Sequence, residues 1–445
     1  MIKASDFGND FVWGVATAAA QIEGAAETYG RGASIWDTFS KRSGKIKKGH
    51  QPIVACDFYH RYKDDVALVK MLGFGVFRFS ISWSRIFPFG DGAVNPEGVA
   101  FYHRLIDECM AQNLVPYITL YHWDLPQALE DEGGWTAYSI NDSFNIFVAF
   151  CAREYGDRVK NWIVLNEPFG FTSLGYMLGI HAPGKTGLTN FFSAVHHAAI
   201  AQADGGRILR AEVKNAHIGT SFSCSEILPY TQSDSDLLAT KRIDCLMNRM
   251  FVEPLMGLGY PTADWDVLEK FAVQHSTWRH TERLTFEFDF IGIQNYFPLT
   301  IKYNAFIPVV QAWEVKAANR KKPHTAMGWE INPDSFINII KQYAAYPKIK
   351  SLMVTENGAA YHDKVSEHQV HDEARIAYFE QHLAALLKAK QEGLNVTGYM
   401  AWTLTDNFEW AEGFNARFGL VHTDFKTQER IVKDSGHWFQ KFLNR

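Results

Sequence analysis

Short runs of β-branched and aromatic residues alternate along the chain with longer segments in which apolar residues recur every three or four positions. The short runs have the length of buried strands, and the longer segments have the period of amphipathic helices. This alternation is typical of parallel strands joined by crossover helices. Eight strands are predicted, near residues 11–16, 76–80, 115–121, 161–166, 217–223, 290–295, 351–355 and 396–402.

Helices are predicted between these strands, at residues 58–71, 101–112, 143–155, 191–212, 234–255, 334–346 and 368–391. No Pro/Ser-rich linker or change in composition interrupts the alternation. Eight such units favour an α/β fold, a closed (β/α)8 TIM barrel that forms a single domain over residues 1–445. The longest segment without a clear period, residues 299–330, is expected to be a loop over the mouth of the barrel.

The active site of such a barrel lies where the strands end, in the loops that follow them. Here those loops supply carboxylates, amides, a histidine, an arginine and aromatic rings, a set that suits a neutral polyhydroxylated ligand. Aromatic residues make up 14% of the chain and include 13 Trp. Part of them must fill a large core, and the rest are available to pack against the C–H face of a sugar.

Two glutamates stand in matching positions, because the segments WIVLNEP and LMVTENG each end an apolar strand in a Glu beside an Asn. Strands four and seven would place Glu167 and Glu356 on opposite sides of one pocket. Cleavage of a glycosidic bond needs such a pair. A separation of about 5–5.5 Å between the carboxyl groups gives retention of configuration and about 6.5–9.5 Å gives inversion, and the sequence leaves this choice open.

Longer motifs extend from one end of the chain to the other: FVWGVATAAAQIEG, RGASIWDTF, FRFSISWSRIFP, YHWDLPQAL, NEP, GYMLGIHAPG, GWEINP, TENGAA, WTLTDNFEW and RFGLVHTDF. In this order they resemble glycoside hydrolase family 1, which contains β-glucosidases and β-galactosidases. The resemblance implies a retaining double displacement without cofactor or metal. Glu356 would be the nucleophile, and Glu167 would be first the acid and then the base.

The resemblance also implies the roles of the surrounding residues. Arg78 and Tyr296 would keep Glu356 ionised, and Asn166 would contact the sugar 2-hydroxyl. The glycone hydroxyls would be bound by Gln21, His122, Asn166 and Glu409, with Trp402 as the floor and Trp410 as a wall. Trp329 would line the aglycone subsite, and Trp123, Asn295 and Phe418 complete the expected substrate-binding set.

Glu409 also bears on the choice of sugar. Relatives that act on 6-phosphorylated sugars have a Ser with a nearby Lys and Tyr in this region, whereas a carboxylate would repel a phosphate. Unphosphorylated β-glucosides or short β-oligosaccharides such as cellobiose are therefore the expected substrates, with galactosides and fucosides left open. Phe297, Phe418 and His422 depart from residues common in the family, which leaves the aglycone preference unresolved.

Three alternative functions are less consistent with these residues. A sugar-binding barrel without activity would have lost one of the two glutamates. A metal- or phosphate-dependent barrel enzyme would need a ligand cluster or a phosphate-binding turn, and the only His pair, His196–His197, has its side chains on different faces of a helix. A thioglucosidase would lack the acid Glu167.

The remaining sequence features limit partners and location. The net charge is −5 and no basic block exceeds the stretch at 41–48, which argues against nucleic acid. No apolar run is long enough to span a membrane, and no secretory signal is recognisable at the N-terminus. Five widely spaced cysteines fit reduced thiols, so a cytoplasmic protein is expected. A homo-oligomer is left open.

Overall fold

The computed structural model describes residues 2–263, 265–276 and 278–444, so four positions of the predicted domain 1–445 lie outside the described residues. Eight parallel strands form a closed barrel in the order β1-β8-β7-β6-β5-β4-β3-β2. Their bounds are β1 Val12–Ala16, β2 Val76–Ser80, β3 Val115–Tyr121, β4 Asn161–Asn166, β5 His217–Ser223, β6 Phe290–Gln294, β7 Leu352–Asn357 and β8 Val396–Trp402. The predicted barrel is confirmed.

One long helix follows each strand and packs on the outside of the barrel. These helices are α1 Phe58–Met71, α2 Pro96–Ala111, α3 Ile140–Tyr155, α4 Leu188–Glu212, α5 Asp234–Asp244, α6 Pro333–Ala344, α7 Glu373–Gln391 and α8 Asp434–Leu443. Both α2 and α6 begin at a proline directly after an asparagine N-cap. The fixed φ of proline suits this first position, where no amide hydrogen is needed.

Shorter elements occupy the connecting loops. The short α-helices are Ala19–Ile22, Ile35–Ser40, Trp83–Ile86, Gln127–Asp131, Pro168–Thr172, Val252–Leu255, Asp266–Gln274 and Trp278–Leu284. Turns of 3₁₀-helix lie at Ala4–Phe7, Lys47–Gly49, Gly134–Thr136, Ala317–Arg320 and Trp410–Glu412, and π-helical turns at Ser173–Met177 and Cys245–Arg249. Short strands pair as Val365–Ser366 with Gln369–Val370, Val421–Thr423 with Arg430–Val432, and Leu299–Tyr303 with both Ile227–Pro229 and Ala312–Glu314.

Two predicted helices and the predicted loop differ from the structure. The helix expected at 234–255 is divided into α5, the π-helical turn and Val252–Leu255. Pro254 prevents one continuous helix, because proline has no amide hydrogen to donate and its ring clashes with the preceding turn. The helix expected at 368–391 starts at Glu373, since Glu367 and His368 have positive φ in a tight hairpin. The loop expected at 299–330 contains two strands of a small sheet.

Side chains along each barrel strand alternate between the interior of the barrel and the surrounding helices. Val76, Tyr117, Ile163, Phe290 and Met353 belong to one buried cluster inside the barrel. A second and larger cluster fills the layer between strands and helices. The interior is thus a packed core, and only its upper end, where the strands finish, is open for a site.

Two further observations concern the chain as a whole. Within the described ranges, every helix falls short of the length and apolarity that a membrane crossing demands. Cys56, Cys109, Cys151, Cys224 and Cys245 are all buried and carry free thiols.

Candidate active site

A pocket of about 370 Å³ opens at the carboxyl ends of the barrel strands. Its lining includes His122, Trp123, Glu167, Tyr296, Trp329, Glu356, Trp402, Glu409, Trp410 and Phe418, which the sequence predicted as site residues. The other predicted residues, Gln21, Arg78, Asn166 and Asn295, are buried beside the pocket and do not line it. The first three contact residues that do.

Glu356 reaches the pocket because the pairing register of β7 shifts after Val354. Such an irregularity turns a side chain away from the regular alternation. The next residues pack tightly, since a Cβ on Gly358 would lie 2.0 Å from the main-chain oxygen of Trp402. This close approach explains the glycine of the TENG motif.

Both carboxylate oxygens of Glu356 accept hydrogen bonds. Oε1 accepts from Arg78 Nη1 at 2.6 Å and from Gln294 Nε2 at 2.8 Å, and Oε2 accepts from the Tyr296 hydroxyl at 2.8 Å. Burial raises the pKa of Glu356, and the charge of Arg78 with the bond from Tyr296 acts against this rise. Burial and the neighbouring carboxylates raise the pKa of Tyr296 well above its usual value, so it remains a donor.

Gln294 was missed by the sequence reasoning, which selected its neighbour Asn295. Phe290 belongs to the inner cluster of the barrel, while Ile291 and Ile293 belong to the outer one. By the same alternation Gln294 points inward and Asn295 outward, where its Nδ2 donates to the main-chain oxygen of Cys224 at 2.8 Å. Counting in steps of two from Tyr296 would have identified Gln294.

Asn166 links the nucleophile candidate to the rest of the site. Its Oδ1 accepts from Arg78 Nη2 and from Gln294 Nε2, and its Nδ2 contacts His122 Nε2 at 3.0 Å. An amide nitrogen only donates, so His122 Nε2 accepts and its proton resides on Nδ1. Burial and then Arg78 lower the pKa of His122 well below its usual value, which keeps the ring neutral. Nδ1 is buried and has no hydrogen-bond partner among the residues that the structure describes, so it can donate to a ligand.

Glu167 lies at the junction of β4 and the helix Pro168–Thr172, with a left-handed backbone at φ 45°. This conformation is strained for a residue with a Cβ, and such strain concentrates at functional sites. Burial, and second the charge of Glu356, raise the pKa of Glu167 well above its usual value, against a hydrogen bond from Ser223. Arg78 contacts Glu356 directly, so Glu356 is the carboxyl of this pair that ionises first.

Glu409 faces the pocket from the loop after β8. Gln21 Nε2 donates to its Oε2 at 3.3 Å, and also to the main-chain oxygen of Phe408 at 3.0 Å. Burial and then Glu356 raise the pKa of Glu409 to about 8. The sequence analysis expects this carboxylate to repel a phosphate. Because repulsion requires the ionised form, it reaches its full strength only above that pH. Among the described residues that line the pocket there is no Lys or Arg to bind a phosphate.

Aromatic rings form one side of the pocket. Trp123 stacks on Trp410 with ring centroids 4.9 Å apart, and the Trp402 ring lies 6.0 Å from that of His122. Trp123 and Trp410 both have positive φ. His181, also missed from the sequence, lines the pocket beside Trp123. Burial lowers its pKa to about 4, so it is neutral near pH 7.

Six apolar side chains also line the pocket, and most of them were not predicted from the sequence. Met327 and Trp329 come from the end of the segment 299–330, which reaches the mouth as predicted. Met247 comes from the π-helical turn Cys245–Arg249. Phe169 and Leu174, which follow Glu167 in the chain, also line the pocket, as does Phe297. No motif identified them, because the turns that aim them depend on tertiary packing.

Among the described residues, His371, Glu373 and Asp434 are the one group placed closely enough for a metal ion. Asp434 is distant in sequence from His371 and Glu373, so spacing did not predict the group. None of them lines the pocket, and His371 Nδ1 is paired with Asp434 at 2.7 Å. The described site itself offers carboxylates, amides and aromatic rings for a neutral ligand.

A family model for glycosyl hydrolase family 1 matches residues 3–445. The chain belongs to glycosyl hydrolase family 1. As a member of this family it is a glycoside-hydrolysing enzyme, and the predicted family and fold are confirmed.

Relatives of this family 1 enzyme match over nearly the whole chain. Beta-glucosidase A of Thermotoga maritima is 40% identical, over 99% of this chain and 98% of that protein. A 1,4-beta-D-glucan glucohydrolase of Thermotoga neapolitana is 40% identical, over 98% of each chain. The solved structure of the family 1 β-glucosidase from Thermotoga maritima has a TM-score of 0.93 at 39% identity, over 98% of this chain and 97% of that one.

Proposed function

We propose that this enzyme is a retaining β-glucosidase that removes terminal, non-reducing, unphosphorylated β-D-glucosyl residues. β-Galactosides and β-fucosides remain within the proposal, because they differ from glucosides only at C4 and C6. The observation that supports it most is the unequal pair of carboxyl groups in one pocket. Glu356 accepts from Arg78, Tyr296 and Gln294, whereas Glu167 has a strongly raised pKa.

In the first step, a carboxylate oxygen of Glu356 attacks the anomeric carbon while Glu167 gives its proton to the departing glycosidic oxygen. The bond between the anomeric carbon and that oxygen breaks, and the aglycone leaves as an alcohol. The β-linked glycoside is thereby converted into an α-linked glycosyl-enzyme. The raised pKa of Glu167 keeps its proton available near neutral pH.

In the second step, a water molecule takes the place of the aglycone and attacks the anomeric carbon, while Glu167 removes a proton from the water. The bond between the anomeric carbon and Glu356 breaks, and Glu356 leaves as a carboxylate. Esterification has by then neutralised Glu356, the second cause of the raised pKa of Glu167. The pKa of Glu167 falls accordingly, which suits it to act as a base. Two inversions give overall retention of the β configuration.

Sugar binding is proposed for the polar residues at the inner end of the pocket. Gln21, His122, Asn166 and Glu409 would bind the glycone hydroxyls, with Asn166 at the 2-hydroxyl. The aromatic boundary of the glycone would be formed by Trp123, Trp402, Trp410 and Phe418, with Trp329 on the aglycone side. Asn295 would act only indirectly, through the main chain of Cys224.

Two broader proposals accompany this mechanism. The whole chain, residues 1–445, would form one catalytic domain, since the strand that closes the barrel on β1 is the last one, β8. Cytoplasmic location is supported by five buried thiols that form no disulfide.

Substitution of Glu356 tests the nucleophile. In Glu356→Gly, hydrolysis of p-nitrophenyl β-D-glucoside should fall to the background rate, and added azide should restore turnover with α-glucosyl azide as the product. Glu287→Gly is a matched control, because Glu287 is an exposed glutamate just before β6 at the opposite end of the barrel. Wild-type turnover by Glu356→Gly would contradict the proposal. The proposal would also be contradicted if NMR showed that the wild-type enzyme first releases the α-anomer of the sugar.

A further inference from the structure

The small sheet in the loops after β5 and β6 carries a row of three side chains on one face. Its strands are, in spatial order, Ile227–Pro229, Leu299–Tyr303 and Ala312–Glu314. Lys302 of the middle strand pairs directly with Trp313. On the other side, the amide of Tyr230 donates to the main-chain oxygen of Ile301 at 2.8 Å, which continues the parallel register and places Tyr230 beside Lys302. Paired residues point to the same face of a sheet, so Tyr230, Lys302 and Trp313 form one row.

All three side chains of this row face solvent. Tyr230 is 45% exposed and Trp313 is 58% exposed, and Lys302 is exposed as well. Single exposed apolar residues are normal on a protein surface. Here, however, the sheet holds two large rings in register at a fixed separation. The row therefore presents a surface suited to a ligand that has both apolar faces and hydroxyl groups.

The spacing of the row indicates which sugar chain would fit. Tyr230 and Trp313 are two strands apart, and neighbouring strands are separated by about 4.8 Å, so their Cα atoms are about 10 Å apart. In a β-1,4-linked glucan each glucose unit is turned over relative to the one before, so the same C–H face recurs with every second unit, at a similar distance. Two such faces could pack on the two rings at once.

Lys302 lies between the two rings in the row, where the intervening glucose unit would be. Its ammonium group is 5.4 Å from the centre of the Tyr230 ring. An ammonium group has three hydrogens to donate and accepts none, so it suits the hydroxyl oxygens of a sugar. The row thus combines stacking groups for the first and third units with a hydrogen-bond donor for the second.

The row lies outside the active-site pocket but on the same end of the barrel. None of its three residues lines the pocket. The middle strand begins at Leu299, two residues after Phe297, which does line it. A sugar chain held on the row would therefore be kept at the end of the barrel where the carboxyl pair is located.

We infer that Tyr230, Lys302 and Trp313 form a second sugar-binding surface, which binds the interior of a β-1,4-linked glucan chain. The inference goes beyond the proposed hydrolysis, because binding on this surface needs no chain end and breaks no bond. The pocket would receive the terminal residue of a chain, whereas an open row of side chains can bind any part of it. Such a surface would keep the enzyme on a polymer between successive cleavages.

Native gel electrophoresis with a soluble polymer in the gel tests this surface. Hydroxyethyl cellulose, a β-1,4-glucan derivative, has few chain ends for its mass, so retardation of the enzyme reports binding to the interior of the chain. We expect the wild-type enzyme to migrate more slowly as the polymer concentration rises. Laminarin, a soluble β-1,3-glucan, should retard it less, because its units do not repeat one face at this spacing.

Two aromatic variants link the retardation to the row. Trp313→Ser should weaken the apparent affinity for hydroxyethyl cellulose by about fivefold or more, since it removes one of the two stacking rings. Phe89→Ser is the matched control, because Phe89 is a 72% exposed aromatic residue in the loop after β2, and it should bind as the wild type does. Turnover of p-nitrophenyl β-D-glucoside should be unchanged in both variants, which shows that they are folded.

The outcomes separate this inference from the proposed function. The inference is overturned if hydroxyethyl cellulose does not retard the wild type, if it retards Trp313→Ser equally, or if laminarin binds as strongly. It is also overturned if sedimentation shows a wild-type oligomer that Trp313→Ser disrupts, because the row would then be an interface between copies of the chain. Retardation without any turnover of p-nitrophenyl β-D-glucoside would instead contradict the proposed function and support the binding surface.

Discussion

Glu167 and Glu356 are the same residue type, and their surroundings make them different acids. Arg78, Tyr296 and Gln294 bind both oxygens of Glu356. Glu167 is buried and close to a second carboxylate, which favours its protonated form. The direction of the proposed reaction therefore comes from neighbours that no single motif contains.

Glu167→Ala should reduce kcat/KM for methyl β-D-glucoside by roughly 10²–10⁴-fold, the usual contribution of a general acid. The loss should be much smaller for 2,4-dinitrophenyl β-D-glucoside, because this leaving group departs without a proton. Steady-state kinetics with the two substrates measure the difference. Equal losses would argue against the acid role.

The pH profile provides a second readout of the same residue. Glu167 must be protonated for the first step, so kcat/KM should decline as the pH rises through its raised pKa. The alkaline limb should therefore lie above the range of an ordinary glutamate and should disappear from the Glu167→Ala profile with the activated substrate. A limb that persists would belong to another group.

Gln294 and Asn295 allow a test between adjacent residues. Gln294→Met removes two hydrogen bonds at Glu356 and Asn166, and should lower kcat at least tenfold with the fold retained. Asn295→Ala removes the bond to Cys224 and should lower unfolding free energy by about 1 kcal/mol, with a smaller effect on kcat. Kinetics and urea unfolding of both variants distinguish them, and the reverse order would restore Asn295 as a binding residue.

At the scale of elements, the loops after the strands contain buried charged groups that respond to pH. Asp124 lies in the loop after β3, directly after Trp123, and is fully buried. Burial raises its pKa to about 8, while Arg31 acts to lower it. Between about pH 4, its ordinary pKa, and pH 8, the folded state binds a proton that the unfolded state has released.

This linkage predicts that stability falls as pH rises from about 4 to 8 and levels off above. Asp124→Asn should remove part of that slope, on the order of a few kcal/mol over this window. Urea unfolding at pH 5 and pH 8 measures it. Asp107→Asn, at an exposed aspartate of α2, should leave the slope unchanged. If the free energy of unfolding changed with pH as steeply in Asp124→Asn as in the wild type, Asp124 would be ionised in the folded enzyme.

The last helix, α8, and the loop after β8 are joined by buried ion pairs. Lys433, which precedes α8, donates to Asp406 Oδ1 at 2.7 Å and also pairs with Asp363. Asp406 accepts in addition from Arg417 at 2.7 Å and from the amide of Gly419 at 3.0 Å. These bonds fix both ends of the loop that positions Glu409 and Trp410.

Lys433→Met should lower the free energy of unfolding by about 3–5 kcal/mol, because it leaves buried carboxylates without their cation. Lys441→Met, at an exposed lysine of α8, is the matched control and should be close to neutral. Chemical denaturation of both variants measures the difference. A small effect in Lys433→Met would mean that water replaces the ammonium group.

For the whole molecule, the barrel is the feature that decides cooperativity. Residues 12–16 of β1 pair with 398–402 of β8, so the first and last strands depend on each other. The enzyme should unfold in one calorimetric transition that a competitive glycone-site inhibitor shifts upward as a whole. Two separated transitions would contradict the single catalytic domain.

The sequence predicted the eight strands because buried parallel strands are short apolar runs separated by long amphipathic helices. The sequence was a poorer guide to segments such as 234–255, where the local apolar period indicates one helix. In the structure this segment is divided, which Pro254 and the hydrogen bonds of the Asn248 side chain to Ser225 favour. The sequence analysis selected Asn295 and not Gln294. The two-residue period of the strand decides which side chain points inward, and it directs Gln294 to the interior.

By itself, the sequence determined the barrel, the family and the two glutamates, because strand period and long ordered motifs are local properties of the chain. Only the tertiary structure decided which groups surround each glutamate, since Arg78 is distant in the chain from Gln294 and Tyr296, and all three are distant from Glu356. The apolar lining of the pocket was likewise decided by folding, because Phe169, Met247 and Met327 come from separate loops and turns of the chain.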